Sequence, residues 1–292
     1  MEFMCGKVCF CVQVPAERAA IDSAFRAAEG STPLYLVREN GSTQNDELLL
    51  FNGGVLTTVG AIGFGDVRGL AYDATTNTLY GVSRRADRLL TIDLSSGAGT
   101  PVSGAALLPA GSNTAEATFD SSGSMFLLGH TSTLCCLDTL YTADKSTGVA
   151  TSVGALGVGT LTGLALQAST GKLFGTGFGG DFYQIDPGTG AATALGTITG
   201  ANGGVARIAF DQSSDVLFGV SFNNQLVTVD LGTLAATQVA QFSGNQIYAL
   251  DFVSTPLVPE PVPATLLAAG LVVTYLSRLR HQRCASAPCA QG

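Results

Sequence analysis

Acidic residues recur at the ends of short apolar segments, and carboxylates are the groups that bind calcium or act as general acids and bases. The anchors Asp73, Asp120, Gln167, Asp211 and Asp251 follow one another at intervals of roughly 40 to 47 residues, the spacing of a structural repeat. An Asp at a strand end accepts hydrogen bonds from turn N–H groups, which is a role that every repeat needs. We therefore predict a structural role for the whole set: Asp73, Asp93, Asp120, Asp144, Asp186, Asp211, Asp230 and Asp251.

Two charged residues break the pattern of the repeat. Four residues before the anchor, where other repeats have Gly or Ile, the chain carries Glu116 and Arg207. If this position lines a channel, the two side chains could clasp a polar ligand or pair with each other, and the sequence leaves both possibilities open. With Arg68 they form the predicted ligand-binding set.

No other cluster favours catalysis or metal binding. His130 lies close in sequence to Cys135 and Cys136, which could form a metal or thiol site, but a solvated loop histidine is the simpler interpretation. No nucleophile with a nearby base and no phosphate-binding loop is found in its required context. We expect no catalytic residue, no metal and no cofactor, although enzymatic activity stays open.

Four segments follow one template, which is an apolar strand ending in the anchor, a polar turn, a Leu-aromatic strand and two further strands. The clearest copy is GLAYD at 69–73, LYGV at 79–82 and LLTID at 89–93. Short strands without helical periodicity indicate an antiparallel all-β fold. Units that cannot bury their own faces must stack, and a ring of blades leaves few exposed edges. The repeat therefore predicts a β-propeller.

The two ends of the repeat region complement each other. Residues 34–60 supply the later strands of a blade without an opening strand, whereas residues 247–251 supply an opening strand alone. Joining them predicts a fifth blade built from both terminal parts, which closes the ring. An open solenoid is less favoured because it would leave two bare edges.

Composition agrees with a folded chain that does not bind nucleic acid. Of 292 residues, 46% are hydrophobic and 12% are charged. This hydrophobicity excludes disorder throughout the chain. The formal net charge of −8, from 14 basic and 22 acidic residues, argues against a nucleic-acid partner, which would need clustered Lys and Arg.

The stretch LFGTGFGGDFYQIDPGTGAATALG at 173–196 resembles the Asp- and Gly-punctuated repeats of bacterial propellers, particularly an uncharacterised family of exported proteins. The resemblance covers about residues 34–253 and implies a fold more than an activity. The chain contains no Trp, which argues against a WD40 propeller.

Beyond the repeats the composition changes. A Pro-rich spacer at 254–263 contains Val258, Pro259, Glu260 and Pro261, and an apolar helix-forming segment at 264–283 ends in a basic flank. This order resembles the PEP-CTERM sorting signal, and an ordinary short membrane anchor is the alternative. The resemblance implies processing by an exosortase-type enzyme, transient anchoring in the inner membrane, and then the cell surface or the extracellular matrix. The basic flank consists of Arg278, Arg280 and Arg283.

The predicted organisation is an atypical N-terminal extension at 1–30, a five-bladed propeller at 31–253, the spacer at 254–263, a short transmembrane-type helix with its basic flank at 264–283, and a tail at 284–292. The first 30 residues do not resemble a signal peptide, which suggests a misassigned start or a lost signal. The expected function is an exported binding or scaffold protein whose partner is extracellular polysaccharide. The alternative is a metal-dependent hydrolase, lactonase or lyase with its site at the channel mouth.

Overall fold

The computed structural model describes residues 32–40, 45–110, 112–131 and 138–254. They form twenty strands in five antiparallel sheets of four, and the only helical element among these residues is a 3₁₀ turn at Phe178–Gly180. The prediction of an all-β five-bladed propeller is confirmed. The strands are β1 Leu34–Arg38, β2 Glu47–Asn52, β3 Val55–Ala61, β4 Val67–Asp73, β5 Thr78–Ser83, β6 Arg88–Ile92, β7 Gly99–Pro101, β8 Ser112–Phe119, β9 Met125–Thr131, β10 Asp138–Asp144, β11 Val149–Ala155, β12 Leu161–Gln167, β13 Lys172–Gly177, β14 Asp181–Ile185, β15 Ala192–Thr197, β16 Val205–Asp211, β17 Val216–Ser221, β18 Gln225–Val229, β19 Ala236–Gln241 and β20 Ile247–Phe252.

Each blade is one sheet with its opening strand innermost. Blades 1 to 4 are β4–β7, β8–β11, β12–β15 and β16–β19, and blade 5 has the strand order β20-β1-β2-β3. The five inner strands contact one another in a closed circle, from β4 through β8, β12, β16 and β20 back to β4. The predicted closure by strands from both ends of the repeat region is therefore confirmed.

The hydrophobic core lies between the blades. It forms five clusters, each drawing its buried side chains from two adjacent blades, so that each sheet covers the faces of its neighbours. Small residues allow close approach near the axis. A Cβ added to Gly69 would lie only 3.0 Å from the backbone nitrogen of Ala117 in the next blade.

One detail of the predicted alignment is wrong. Asp251 was aligned with Asp73, but it pairs with Tyr35, whereas Asp73 pairs with Thr78 at the hairpin turn. In the repeat, Leu34 corresponds to Leu79 of blade 1. Leu34 pairs with Phe252, whereas Leu79 pairs with Tyr72, so Asp251 lies two positions before the place of the anchor residue. Blade 5 has no hairpin between its first two strands, and the turn that would have fixed the register is therefore missing.

The predictions for residues 1–30, for the spacer beyond Ser254, for the apolar segment at 264–283 and for the tail at 284–292 fall outside the described residues. Within the part of the chain that the structure does describe, no helix is long and apolar enough to cross a membrane.

Candidate functional site

Glu116 and Arg207 face each other across the channel from two blades that are not neighbours. Arg207 Nε lies 3.5 Å from Glu116 Oε1, and both residues are buried, at 7% and 2% exposure. Arg207 also donates to the backbone carbonyl of Tyr248 (2.7 Å) on one side and to that of Thr162 (2.6 Å) on the other. Of the two possibilities that the sequence left open, the structure shows the ion pair.

Burial dominates the electrostatics of this pair. It raises the pKa of Glu116 well above its usual value, although the charge of Arg207 opposes the shift. It also lowers the pKa of Arg207, against the stabilising charge of Glu116. Glu116 Oε1 has no hydrogen-bond partner among the described residues. The negative charge at this atom is therefore stabilised only by the nearby guanidinium of Arg207. The pair is therefore shielded from solvent near the axis of the ring.

Arg68 lies in the same region but is held by other groups. Its Nε donates to Asp66 Oδ1 (2.5 Å), and its guanidinium stacks over the ring of Tyr248 at 3.6 Å. Asp66 also accepts from Arg84 Nε (2.7 Å). Burial would raise the pKa of Asp66, but the two arginines lower it below its usual value. Arg68 is thus already paired, although it is less buried than Arg207.

The recurring Asp residues hold turns in seven of the eight predicted positions. For example, hydrogen bonds from Ser95 and Ser96 to the Asp93 carboxylate lower the pKa of Asp93 to about 2. Asp73 is fully buried; burial would raise its pKa, but Lys145, Thr75 and Thr76 lower it to about 2. The seven turn residues are Asp73, Asp93, Asp120, Asp144, Asp186, Asp211 and Asp230.

A second recurring polar residue, missed from the sequence, joins neighbouring blades. Asp46, Asp138 and Asn224 precede or begin the third strand of a blade, and each accepts the backbone N–H that opens the next inner strand. Asp138 also contacts His130, with 2.6 Å between Oδ1 and Nδ1. His130 therefore has a carboxylate partner, while Cys135 and Cys136 lie outside the described residues.

A pocket of about 210 Å³ opens where the inner strands end. Its walls are largely apolar and aromatic, and its mouth is polar. Asp251 lines it, with Oδ2 accepting from the N–H of Tyr72 (2.6 Å) and Oδ1 from that of Phe252 (2.8 Å). Burial raises the pKa of Asp251 to about 7. The eighth Asp therefore accepts backbone N–H groups, one of them from blade 1, but it holds no turn, and the predicted turn role is wrong for it.

At the other end of the channel, an aromatic pair reaches the surface. Phe178 and Phe222 follow the second strands of blades 3 and 4, and their rings stack in parallel with centroids 5.5 Å apart. Phe178 is 60% exposed. Asn202 and Asn223, joined by a hydrogen bond of 3.1 Å, lie beside Phe222 and are exposed. We call these four residues the Phe178 face. Its signal in the sequence is a Phe at the same repeat position in two Gly- or Asn-rich loops.

In the described ranges, no three His, Cys, Asp or Glu side chains lie close enough together to hold a metal ion. The described residues form a closed five-bladed β-propeller. It has a buried ion pair near its axis, a small pocket at one end of the inner strands and an aromatic pair at the other end, of which Phe178 is exposed.

Comparison with known proteins gives similarity to solved structures only. No protein-family model matches the chain, and no curated protein matches it. A chain of a nidogen/laminin complex is 12% identical with a TM-score of 0.48, covering 75% of this chain and 85% of that one. A gluconolactonase from Xanthomonas campestris is 13% identical with a TM-score of 0.47, covering 74% and 78%. A protein of unknown function from Bacteroides caccae is 12% identical with a TM-score of 0.44, covering 72% and 73%. At these values the likeness does not extend to a function.

Proposed function

We propose that this chain is an exported β-propeller that binds or scaffolds extracellular polysaccharide. The observation that carries the proposal is the Phe178 face. Phe178 remains 60% exposed although its ring stacks on Phe222, so much of its apolar surface is available to a partner. Exposed apolar groups bordered by polar ones are typical of interaction sites.

The chemistry of the Phe178 face suits a sugar ring. The C–H face of a pyranose packs flat against an aromatic ring, and its hydroxyls need donors and acceptors at the edge of that ring. Asn202 and Asn223 supply both from their amides, and only one bond between them is used internally. No Lys or Arg belongs to this face, so it suits a neutral polymer better than an anionic one.

Export and sorting are the second part of the proposal. They are supported by the order of the spacer motif, the apolar segment and the basic flank, which resembles the PEP-CTERM signal. On this proposal an exosortase-type enzyme processes a form that is transiently anchored in the inner membrane. The mature propeller then reaches the cell surface or the extracellular matrix.

The metal-dependent alternative receives no support from the described residues, which offer no cluster of three or more metal-binding side chains. The hydrolase, lactonase or lyase therefore stays second to the binding function.

Replacing Phe178 by serine is expected to weaken binding of the full chain to the exopolysaccharide of its native host by about tenfold, because stacking on an aromatic group contributes on the order of 1–2 kcal/mol. Co-sedimentation with the insoluble polymer would measure it. The matched control is Val55→Ser, since Val55 is also 60% exposed but lies in blade 5. Equal binding by Phe178→Ser and Val55→Ser would contradict the proposed site.

Substituting alanine for Pro259, Glu260 and Pro261 together is expected to retain the protein in the membrane fraction, because the processing enzyme would lose its motif. Fractionation of the native host, with the intact mass of the mature form, would measure this. Full recovery of the unaltered protein in the cytosol would refute export. Normal processing of the triple variant would refute the PEP-CTERM-like signal while leaving polysaccharide binding untouched.

A further inference from the structure

Asp251 introduces a carboxyl group where the other blades have small side chains. The strand registers place it in line with Ala71, Thr118, Ala165 and Ala209. These side chains point towards the next blade near the axis, and only blade 5 carries a charge there. Asp251 holds no hairpin turn, so the structural role of the other repeat aspartates does not account for it.

Among the described residues, the carboxyl of Asp251 has two neutral donors and no ion-pair partner. Both of its oxygens accept backbone N–H groups, and a part of the residue stays exposed where it lines the pocket. No Lys or Arg is among the described residues that line this pocket. Arg207, on the inner strand of blade 4, is committed to Glu116 and to two carbonyls. A desolvated carboxylate of this kind gains most from a positively charged partner.

Space for such a partner arises in blade 2. At the position one residue before the ring of small side chains, the other blades have Leu70, Leu164, Ile208 and Leu250, whereas blade 2 has Ala117. All five residues line the pocket. The missing branched side chain enlarges a cavity that is otherwise closed by large apolar groups.

The walls favour an organic cation over a metal ion. The rings of Tyr72, Phe119, Phe210 and Phe252 are among the lining residues, and aromatic faces attract ammonium groups. A hard divalent cation would need several oxygen ligands, and of the described lining residues only Asp251 and Asp120 carry carboxylates. Asp120 is occupied by the N–H groups of its own turn.

We propose that this pocket binds a small ligand bearing a primary ammonium group, with Asp251 as its counter-ion and the aromatic side chains around its carbon skeleton. The volume of about 210 Å³ admits a single amino sugar or a short aliphatic amine. The site is separate from the Phe178 face, because the pocket opens where the inner strands end, whereas Phe178 lies where they begin.

Binding should depend on pH through Asp251. Its pKa of about 7, raised by burial, means that the free carboxyl is largely protonated at pH 6 and ionised at pH 8. Ethylammonium stays charged over this range, whereas the ammonium group of glucosamine, with electron-withdrawing oxygens on neighbouring carbons, is partly deprotonated at pH 8. The other charged groups nearby are Glu116, which is paired with Arg207, and Asp120, whose pKa is lowered by its turn in spite of partial burial. Affinity for ethylammonium is therefore expected to rise roughly tenfold from pH 6 to pH 8, and affinity for glucosamine by less.

The test uses the full chain and isothermal titration with glucosamine and ethylammonium chloride, at constant ionic strength. Glucose and N-acetylglucosamine serve as neutral analogues. We expect about millimolar binding of an amine at pH 8, at least tenfold tighter than that of its neutral analogue. If glucosamine binds and ethylammonium does not, an amino sugar is the source of the ammonium group. If both amines bind equally, the ligand is a simple aliphatic amine.

Two variants test the assignment to this pocket. Asp251→Asn removes the charge, and Ala117→Leu fills the cavity with the residue type of the other blades; each is expected to weaken amine binding at least about tenfold. Asp186→Asn removes the same charge from an exposed turn and should bind as the unaltered protein does.

If Asp251→Asn fails to fold, Ala117→Leu and the pH profile of the unaltered chain decide the matter. Absence of amine binding at pH 8, equal affinity for the neutral sugars, or undiminished binding by a folded Asp251→Asn would each overturn the proposal. None of these outcomes bears on polysaccharide binding at Phe178.

Discussion

Replacing Arg207 by methionine is expected to lower the free energy of unfolding by about 3–5 kcal/mol, the usual effect of removing one partner from a buried ion pair. The substitution leaves Glu116 buried without a counter-charge and takes a donor from the carbonyls of Thr162 and Tyr248. Glu116 would have to bind a proton, so the loss should be larger at pH 8 than at pH 6. Urea unfolding followed by circular dichroism would measure it.

A double-mutant cycle separates the pair from the carbonyl hydrogen bonds. Glu116→Gln keeps the shape of the side chain, and Arg207 retains its bonds to the two carbonyls, so its effect is expected to be smaller than that of Arg207→Met. The double variant should lose less than the sum of the two, by at least about 1 kcal/mol, because no unpaired charge is then left in the channel. Strict additivity would show that the two charges do not stabilise each other.

Ending the chain at Gly244 is expected to abolish cooperative unfolding, because the ring loses its closing strand β20. That strand buries Ile247, Tyr248, Leu250 and Phe252. At roughly 1.5–3 kcal/mol for each large apolar side chain, their combined contribution is about 6–12 kcal/mol, which equals most of the stability of a typical domain. Thermal unfolding measured by circular dichroism or calorimetry would show the loss.

A chain ending at Ser254 is the matched control, since it removes only the residues after β20. It should unfold in a single transition, and a peptide of residues 245–254 should restore much of that transition to the shorter chain by adding the missing strand. An unchanged midpoint in the chain that ends at Gly244 would contradict closure of the ring by β20.

Most of the fold could be predicted from the sequence, because each blade repeats the same local pattern of strands and turns. In blade 1 the apolar strand, the Asp73 turn and the Leu-aromatic strand are adjacent along the chain, so hairpin geometry fixes their register. The closure of blade 5 followed from counting strands at the two ends of the repeat region. The one error, the placement of Asp251, fell on the pair of strands that no hairpin joins.

The candidate sites were less predictable. Glu116 and Arg207 were found because they depart from the repeat, but their separation of 3.5 Å depends on how far apart the blades lie around the axis. Asp251 resembled a repeat aspartate and was therefore misassigned, and the exposure of Phe178 could not be distinguished from the burial typical of other Phe residues in the chain. Asp46 and Asp138 were missed because the N–H that each accepts belongs to the next blade.

The sequence alone determined the strand order within blades 1 to 4 and the turn role of seven aspartates, because these depend on contacts between residues close along the chain. It also indicated the fifth blade, because the two ends of the repeat region supply complementary strands. Only the tertiary structure decided that Glu116 and Arg207 form a buried ion pair, that Asp251 faces a pocket and that Phe178 reaches the surface. Those features arise where different blades meet, and the distances there are fixed by packing around the whole ring rather than by any one repeat.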